Sequence, residues 1–435
     1  MTKVVHLHVG GPKTGTTFIQ QVLEHNAEAL GRVGVLVAGP RLDLIHAAMV
    51  VRDDHRLDSL PAEARGAWRR VVDQVRDWSG DVAVVSYELF ANATADQVAR
   101  ALADLDDIEV HVVITARDLG KAIASSWQEQ LKFGITKKLG QWRPPQESNE
   151  TSEWGWRTLQ PANVARRWGA TLPADQVHVV TVPRGNDNAE LWRRFADACG
   201  LSAVPGLDLA VERANESLGV VQAEVLRRVN GALEGRIKGG RAKSLWLRDL
   251  FAHQVLAPLG REAIGLTDQH LAQAQAEYDA AVADITAAGY RVHGDLTDLA
   301  PTRAGSRLPE DVSDHEVAES AALALADLLV WARAAGADVT VPPGEEGEAP
   351  TSPARGAKGL VRSSVARIAA PLRDRQVEAL QGRIAALEAE VERGRRLHLR
   401  VATLTDVVQQ LLLPAGQRDE EVTQEALRIY RERSL

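Results

Sequence analysis

Short apolar runs alternate with longer segments of helical periodicity through the first half of the chain. The clearest run, IEVHVVITA at residues 108–116, has the length and the β-branched content of a buried strand. Similar runs predict further strands at residues 4–9, 33–38, 81–86 and 176–182. Apolar residues spaced by three and four predict helices at residues 18–30, 42–51, 59–78, 94–105, 118–132, 164–168 and 189–199. This alternation predicts an α/β fold, with a parallel sheet flanked by helices and ligands at the carboxyl ends of the strands.

The second half of the chain has a different pattern. Residues 217–288 look helical apart from a basic break at 236–243, and one more helix is predicted at 315–335. Residues 341–359 are dense in Pro, Gly and Glu, which is typical of a linker. We therefore expect a first domain over residues 1–335, with an α/β core to about residue 215 and a helical part from about 216, then a linker over 336–359 and a helical tail over 360–435.

In the tail, apolar residues recur at alternating spacings of three and four, over two stretches that Gly394 separates. This heptad-like spacing is typical of a coiled coil, so we expect a homo-oligomer that forms through the C-terminal helix. A single helix that docks on the first domain is the alternative. Basic residues before the tail could bind anionic lipid, but a solvated helix face explains them more simply. They are Lys358, Arg362, Arg367 and Arg373.

The turn after the first strand carries the strongest chemical signal, GGPKTGTT at residues 10–17. Glycines break the strand, and the last two threonines lead directly into the first predicted helix. The backbone N–H groups of such a turn, together with the positive end of the helix dipole, form a site for a phosphate or a similar anion. Lys13 adds a full positive charge, and it is one of only nine lysines in the chain.

The spacing of this loop separates two kinds of phosphate chemistry. An NTPase P-loop has the pattern GxxxxGK[ST], in which Lys follows the last Gly. Gly10 and Gly15 have that separation, but Thr16 follows Gly15, and Lys13 precedes it. The order PKTGTT resembles the 5′-phosphosulfate loop of the sulfotransferases that use 3′-phosphoadenosine 5′-phosphosulfate (PAPS). On this loop alone, an ordinary strand–turn–helix with an isolated lysine is the alternative.

A second motif follows the strand at 108–116. Arg117 at a strand end can bind a phosphate through two parallel hydrogen bonds. Ser125 lies about two helical turns further on, where its hydroxyl can return to the same side. This Arg–Ser spacing is similar to the 3′-phosphate signature of the same sulfotransferases. Both motifs are present in the right order, so the resemblance covers roughly residues 1–230 and is closest at these two short motifs.

The resemblance implies a P-loop-like α/β fold and a PAPS-dependent sulfotransferase of the bacterial branch. It places the first loop on the 5′-phosphosulfate, and Arg117 with Ser125 on the 3′-phosphate. The segment RANES at 213–217 is similar to one found near the nucleotide in bacterial members. The phosphate segment of the cytosolic animal branch has only a weak counterpart at 238–241, so the adenosine side stays unassigned. The donor-binding residues implied by the resemblance are Gly11, Pro12, Lys13, Thr14, Gly15, Thr16, Thr17, Arg117, Ser125, Arg213, Asn215 and Ser217.

A sulfuryl transfer also needs a base that takes the proton from the acceptor hydroxyl or amine. Glu88 follows the strand at 81–86 and should project from the carboxyl edge of the sheet. The corresponding strand end carries the catalytic base, His or Glu, in the sulfotransferases that the chain resembles. His46 competes because an unperturbed imidazole titrates near neutral pH, although it lies in a predicted short helix. The candidate catalytic residues are thus Lys13, Glu88 and His46; a capping or ion-paired carboxylate is the structural alternative for Glu88.

Residues 134–159 interrupt the α/β pattern with a long polar segment. It contains two consecutive prolines and three tryptophans, Trp142, Trp154 and Trp156. Because a loop of this length in a compact domain is often functional, one interpretation is a lid over the acceptor. The other interpretation is an ordered surface flap whose tryptophans pack against the domain.

Composition narrows the remaining choices. The 435 residues are 45% hydrophobic and 25% charged, which is typical of a globular protein. The formal net charge of −8 argues against nucleic-acid binding, and no apolar run is long enough to predict stable membrane insertion. Cys199 is the single cysteine, which excludes an intrachain disulfide and a thiolate metal cluster. The N-terminus has no signal-like pattern, so a cytoplasmic location is expected.

We therefore expect sulfuryl transfer from PAPS to a small-molecule or glycan acceptor, without a metal ion because the sulfuryl group carries less charge than a phosphoryl group. His6 and His8 share one face of the first strand, but ordinary strand side chains explain them better than a metal pair. A P-loop kinase is the alternative enzyme, although the Lys after Gly15 and the strand-end Asp that it needs are not evident. A coiled-coil scaffold with a decayed transferase domain is the non-enzymatic alternative.

Overall fold

A sheet of six parallel strands organises the part of the chain that the structure describes. The structure is a computed structural model, and the described residues are 2–146, 154–185, 187–211, 217–303 and 305–334. The strands are β1 (Val4–Gly10), β2 (Val35–Val37), β3 (Val82–Ser86), β4 (Glu109–Ala116), β5 (Val177–Thr181) and β6 (Arg291–His293). They stand in the order β2-β3-β1-β4-β5-β6, and each neighbouring pair is parallel. The predicted α/β class with a parallel sheet flanked by helices is confirmed.

Helices connect the strands and cover the sheet. The α-helices are α1 (Thr16–His25), α2 (Ala27–Arg32), α3 (Arg41–Val51), α4 (Ala67–Asp77), α5 (Ala95–Ala103), α6 (Leu119–Lys132), α7 (Trp156–Leu159), α8 (Pro161–Trp168), α9 (Asn188–Ala198), α10 (Val220–Leu233), α11 (Gly240–Lys243), α12 (Asp268–Ala288) and α13 (Asp314–Ala334). A π-helix spans Ser244–Leu256. Short 3₁₀ turns lie at His55–Ser59, Ala62–Gly66, Glu88–Asn92, Leu139–Gln141, Ala174–Gln176, Ala257–Leu259, Leu296–Leu299 and Pro309–Asp311.

Three parts of the chain, named below, differ from the predicted elements. The helix predicted over 59–78 is divided into a 3₁₀ turn and α4, with Pro61 and Gly66 at the two junctions. Strand β6 was not predicted, because three residues flanked by turns give no measurable alternation; it pairs with β5 through Arg291–His293. The stretch predicted as helical over 217–288, apart from the basic break at 236–243, also contains an extended segment, in which Ile264 and Gly265 bridge to Arg307 and Gly305.

The apolar core has two sides because successive strand residues point to opposite faces of a sheet. Val5, Leu7 and Val9 of β1 are buried in one cluster, which also contains residues of α3, α4, α5 and α8. Val113 of β4 and Val180 of β5 belong to the other cluster, with residues of α1 and α9. Central strands that are buried on both faces are typical of parallel sheets. Packing on both faces of the sheet holds the carboxyl ends of the central strands in position, and ligand sites of such sheets lie at these ends.

A row of histidines crosses four strands of the sheet. His6 on β1 is in register with His111 on β4, and their ring centroids lie 5.2 Å apart. His111 Nδ1 is 2.8 Å from His178 Nε2, and His178 Nδ1 is 2.9 Å from His293 Nε2, both within hydrogen-bonding distance. Burial lowers the pKa of His6 and of His178 to about 3, so both rings are neutral at physiological pH. Hydrogen bonds thus connect His111, His178 and His293, and His6 joins the row by ring contact with His111.

The remaining predicted segments fall largely outside the described residues. These are the linker at 336–359, the coiled-coil-like tail at 360–435, and Arg213 with Asn215 of the RANES segment. In the described ranges, no helix is both long enough and apolar enough to span a membrane. In the same ranges, no cluster of three or more His, Cys, Asp or Glu side chains has an arrangement that could hold a metal ion.

Candidate functional site

Three strand ends meet at the centre of the sheet. The chain leaves β1 for β2 on one side and later returns to β4 on the other side, so β1 stands between β3 and β4. A reversal of this kind opens a crevice at the carboxyl ends of the strands, which is where open α/β sheets bind ligands. Residues 10–15 follow β1, Glu88 follows β3, and Arg117 follows β4. The topology thus brings together both predicted donor motifs and one predicted base.

The loop after β1 depends on three residues with positive φ. Gly10 has φ 99°, and a Cβ at this position would lie 2.8 Å from the carbonyl oxygen of Glu88, so the backbones of β1 and β3 meet closely here. Gly15 has φ 81° and immediately precedes α1. Lys13 has φ 63°, which is uncommon for a residue with a side chain. Arg117 stabilises this conformation, because its Nη1 donates to the carbonyl oxygen of Lys13 at 2.8 Å.

The start of α1 directly follows the loop and faces the crevice. The amide of Ile19 makes the first α-helical bond, to the carbonyl of Gly15 at 3.2 Å, so the amides of Thr16 and Thr17 precede the helical ladder. No side chain caps the helix at Gly15. The positive end of the helix dipole favours an anion at this position.

A buried polar network connects the loop to the ends of β1, β3 and β4. Thr14 Oγ1 lies 2.5 Å from Thr115 Oγ1 and also donates to the carbonyl of Gly11. The amide of Gly11 donates to the carbonyl of Thr115 at 2.9 Å. His8 connects Thr115 Oγ1, at 3.2 Å, with Ser86 Oγ, at 2.7 Å, and burial lowers its pKa to about 3. The Gly11 amide and the Thr14 hydroxyl thus hold the loop in place, and the contact of Gly11 and Thr14 with the donor stays a prediction.

The side chain of Lys13 lies between a carboxylate and an indole. Its Nζ is 2.5 Å from Oε1 of Glu129 on α6, and 5.8 Å from the ring centroid of Trp154. The same carboxylate oxygen is 2.7 Å from Nζ of Lys132, also on α6. Glu129 and Lys132 are almost completely buried, with 4% and 3% of their side chains exposed. One anion thus pairs with two cations, and the three charges together leave one positive charge.

Burial and charge act in opposite directions on this cluster. Burial alone would raise the pKa of Glu129, but the two lysines lower it to about 2. Burial lowers the pKa of Lys132 to about 8, an effect that Glu129 only partly offsets. Glu129 is therefore ionised throughout the physiological range. The pKa of Lys132 lies at the upper edge of that pH range.

Arg117 has a buried hydrogen-bond donor that no described residue accepts from. Its guanidinium is partly buried, and Nε is enclosed without a hydrogen-bond partner among the described residues. Burial lowers the pKa of Arg117, with Asp118 acting in the opposite direction. An enclosed cationic donor without a partner is unfavourable, and an anionic ligand would satisfy it. Ser125, the predicted partner of Arg117 on a phosphate, is half-buried on α6.

The two base candidates occupy different environments. Glu88 is half-buried at the first position of the turn after β3, and its Oε2 accepts a hydrogen bond from Gln20 of α1 at 2.8 Å. This places its carboxyl group beside the helix that begins at the loop. His46 is half-buried on α3, where it acts electrostatically on Asp43. Helix α3 packs against the turn that begins at Glu88, but no hydrogen bond or ion pair among the described residues connects His46 with Glu88 or with the loop.

Of the remaining predicted residues, Ser217 lies beside α6. Ser217 is exposed, and the amide of the next residue, Leu218, donates to Gln128 of α6 at 3.0 Å. The end of the RANES segment therefore lies against the helix that carries Ser125. Its other donor candidates, Arg213 and Asn215, are not among the described residues.

The tryptophans of the long segment have different surroundings. Trp142 and Trp156 are buried, at 7% and 0% exposed, as expected for a flap that packs against the domain. Trp154 is half-buried beside Lys13, and its carbonyl oxygen accepts a hydrogen bond from Ser126 of α6 at 2.6 Å. Residues 147–153 lie outside the described ranges. The segment thus contacts the loop through one tryptophan and the core through the other two.

Sequence reasoning did not identify Glu129 and Lys132. The available signal was a charged pair at positions i and i+3 of an otherwise apolar helix surface, in a chain with only nine lysines. That pattern is common on solvated helices, where it stabilises the helix slightly and does not indicate a ligand site. What distinguishes this pair is its burial, which depends on how α6 packs in the fold.

Comparison with known proteins gives limited similarity. Residues 380–434 match a family described as a domain of unknown function, DUF6752. No curated protein matches the chain. The sulfotransferase domain from the curacin biosynthetic pathway is 10% identical over 49% of this chain and 78% of that one, with a TM-score of 0.30. A sulfotransferase from Alicyclobacillus acidocaldarius is 15% identical over 57% of this chain and 98% of that one, with a TM-score of 0.33.

Proposed function

We propose that the chain is a sulfotransferase that moves a sulfuryl group from PAPS to a hydroxyl or amine of a small-molecule or glycan acceptor. The hydrogen bond from Arg117 Nη1 to the carbonyl of Lys13, at 2.8 Å, carries this proposal. The two residues are 104 positions apart, and each belongs to the motif that resembles one end of a PAPS site. Their direct contact supports a single site for a ligand with two anionic groups.

The charges of the site support the same ligand. Lys13 and Lys132 share one carboxylate, and the enclosed Nε of Arg117 has no hydrogen-bond partner in the described part of the chain. The amides at the start of α1 add further donors. A ligand with several negative charges, as PAPS has, would pair these groups, whereas a neutral ligand would leave them unsatisfied.

In the proposed mechanism, each residue acts on a defined part of the reaction. PAPS, when bound, supplies the sulfuryl group for an in-line displacement that depends mainly on positioning and charge stabilisation. Lys13 and the first amides of α1 stabilise negative charge on the leaving 5′-phosphate. Arg117 and Ser125 hold the 3′-phosphate. Glu88 takes the proton from the acceptor, with Gln20 orienting its carboxyl group through Oε2.

Product analysis tests the transfer itself. Purified protein is incubated with PAPS and with fractions of small molecules and glycans, and mass spectrometry searches for products about 80 Da heavier, the mass of one SO₃ unit. The matched control is Lys13→Ala under the same conditions. A product that forms with the wild type and not with the variant is expected.

Thermal shifts separate the alternatives. We expect the reaction product adenosine 3′,5′-bisphosphate (PAP) to raise the melting temperature without a metal ion, because a ligand at 100 times its Kd stabilises the native state by about 2.7 kcal/mol. A shift with ATP and Mg²⁺ but none with PAP would support the kinase instead. No shift with either ligand would support the scaffold.

A further inference from the structure

Lys132 is a buried cation that the proposed mechanism does not use. It is the last residue of α6, and its Nζ lies 2.7 Å from Glu129 Oε1. That same oxygen pairs with Nζ of Lys13 at 2.5 Å. A single carboxylate oxygen therefore holds both ammonium groups, so that Lys132 stands next to the lysine of the anion loop.

The surroundings of Lys132 do not balance its charge. Of the charged groups that act on it, Glu129 is negative, while Lys13 and Arg248 are positive. Glu129 can neutralise only one of the two lysines that it contacts. His253 of the π-helix faces the same cluster, but burial and the nearby cations lower its pKa to about 4, so it adds no charge at neutral pH. A buried ammonium in such a place is unfavourable unless an anion joins it.

We propose that Lys132 is a second cation of the donor site, which Glu129 holds beside Lys13 and which takes up a proton from solvent when an anionic donor binds. The inference rests on the proposed function, because the phosphosulfate group of the donor is the anion in question. Lys132 is a positioning residue in this scheme. Its charge attracts the donor. Through its ion pair with Glu129, it also fixes the position of the Lys13 side chain.

The direction of the pH dependence follows from the protonation of Lys132. Its pKa in the free protein is lowered to about 8, mainly by burial. Below that pH the side chain is charged in the free protein, and above it the charge is lost. An anion stabilises the charged form, so the pKa of Lys132 rises on binding. Affinity for the donor therefore decreases as the pH rises through 8, by about tenfold between pH 7 and pH 9 if the bound pKa exceeds 10.

Few other groups near Lys132 titrate in this window. The pKa of Glu129 is about 2 and that of His253 about 4, so each keeps one protonation state from pH 7 to pH 9. The second ionisation of a phosphate monoester, near pH 6, lies below the window. A proton that the wild type takes up above pH 7 and that Lys132→Arg does not take up therefore reports on Lys132.

Isothermal titration calorimetry with PAP tests the inference on the full-length protein at pH 7, 8 and 9. Buffers with different ionisation enthalpies report the number of protons taken up. The wild type should lose about tenfold in affinity over this range and take up a proton near pH 8. Lys132→Arg, which keeps the charge at every pH, should lose markedly less and take up no proton. Lys132→Met should bind more weakly at pH 7 and should also lack the pH dependence.

The outcomes separate the inference from the proposed function. If the wild type does not bind PAP at any pH, the proposed function and the inference both fail. If PAP binds and the two Lys132 variants show the same pH profile and proton uptake as the wild type, the inference alone is overturned. Melting temperatures of the variants show whether they are folded, and Lys132→Arg supplies a folded comparison if Lys132→Met is unstable.

Discussion

Two clusters of partly or fully buried charges lie at strand ends of the same sheet, and their compositions are opposite. Glu129 pairs one carboxylate oxygen with two lysines, Lys13 and Lys132. Arg194 pairs one guanidinium with two carboxylates, those of Glu190 at 2.7 Å and Asp298 at 2.6 Å. The first cluster has one anion shared by two cations, and the second has one cation shared by two anions.

The difference lies in what completes each cluster. Glu190 also pairs with Arg193 at 2.6 Å, so the second cluster contains two cations and two anions. Asp298 accepts a further hydrogen bond from Thr181 at 2.9 Å. The second cluster is therefore complete within the protein, and we interpret it as structural. The first cluster keeps a surplus positive charge at the crevice of the sheet, which is typical of a site that an anionic ligand completes.

Removal of Lys13 should have the largest effect on the reaction. We expect Lys13→Ala to reduce sulfuryl transfer below detection, because the charge that stabilises the leaving group is lost. The fold should persist, since Glu129 still pairs with Lys132. Because Lys13 has φ 63°, Lys13→Asn is the matched control, as Asn tolerates this conformation. Full activity in either folded variant, measured as product formed from PAPS, would contradict the assignment.

The base should have the next largest effect. We expect Glu88→Gln to lower kcat by about 10²–10⁴, the usual scale for a general base, with nearly unchanged affinity for PAP. Gln20 can still hydrogen-bond to the amide, so the local packing should be preserved. His46→Asn should act mainly on the KM for the acceptor, if it has an effect. Assays of both variants over a range of pH decide between them, and the reverse result would give His46 the role of base.

A substitution in the Arg194 cluster should lower the stability of the fold and leave the affinity for PAP unchanged. We expect Arg194→Met to lower the free energy of unfolding by about 2–4 kcal/mol, because Asp298 and Glu190 lose a cation in a partly buried place. Chemical denaturation measures this change. Calorimetry at a temperature where the variant is folded should give wild-type affinity for PAP. If folded Arg194→Met binds PAP more weakly than the wild type, the Arg194 cluster is not purely structural, and the contrast with the Glu129 cluster fails.

The smallest expected effect on the site comes from removal of the tail. A chain that ends at residue 335 should form a smaller oligomer than the full chain, because the heptad-like spacing lies beyond that residue. Its affinity for PAP should be retained, since the residues assigned to the donor all precede residue 335. Multi-angle light scattering measures the masses. Equal oligomeric states for the two chains would exclude the tail as the organiser.

The features that sequence could predict are local ones. The strand at 108–116 and the loop at 10–17 follow from short-range periodicity and turn chemistry, and the structure places them as β4 and as the turn before α1. The three-residue strand β6 has no such pattern, and pairing with β5 determines it. Elements that need a partner to exist are difficult to see in one sequence.

The same limit applies to the site. The proximity of Arg117 to the loop follows from topology, because the carboxyl ends of neighbouring parallel strands share one edge. The roles of Thr14 and Gly11 in holding the loop depend on Thr115, which is distant in sequence. The charge surplus at Glu129 depends on the side chain of Lys13 reaching α6. Such contacts are set by tertiary packing.

Binding of PAP to the wild type and to Arg117→Ala, measured by calorimetry in metal-free buffer, tests the central claim most directly. Arg117 is the residue that connects the two motifs, through its bond to the carbonyl of Lys13. We predict that the wild type binds PAP, and that Arg117→Ala binds it more weakly by about 1.5–3 kcal/mol, roughly 10- to 150-fold, because a charge-assisted contact with the 3′-phosphate is lost. A folded Arg117→Ala with the affinity of the wild type would contradict the account.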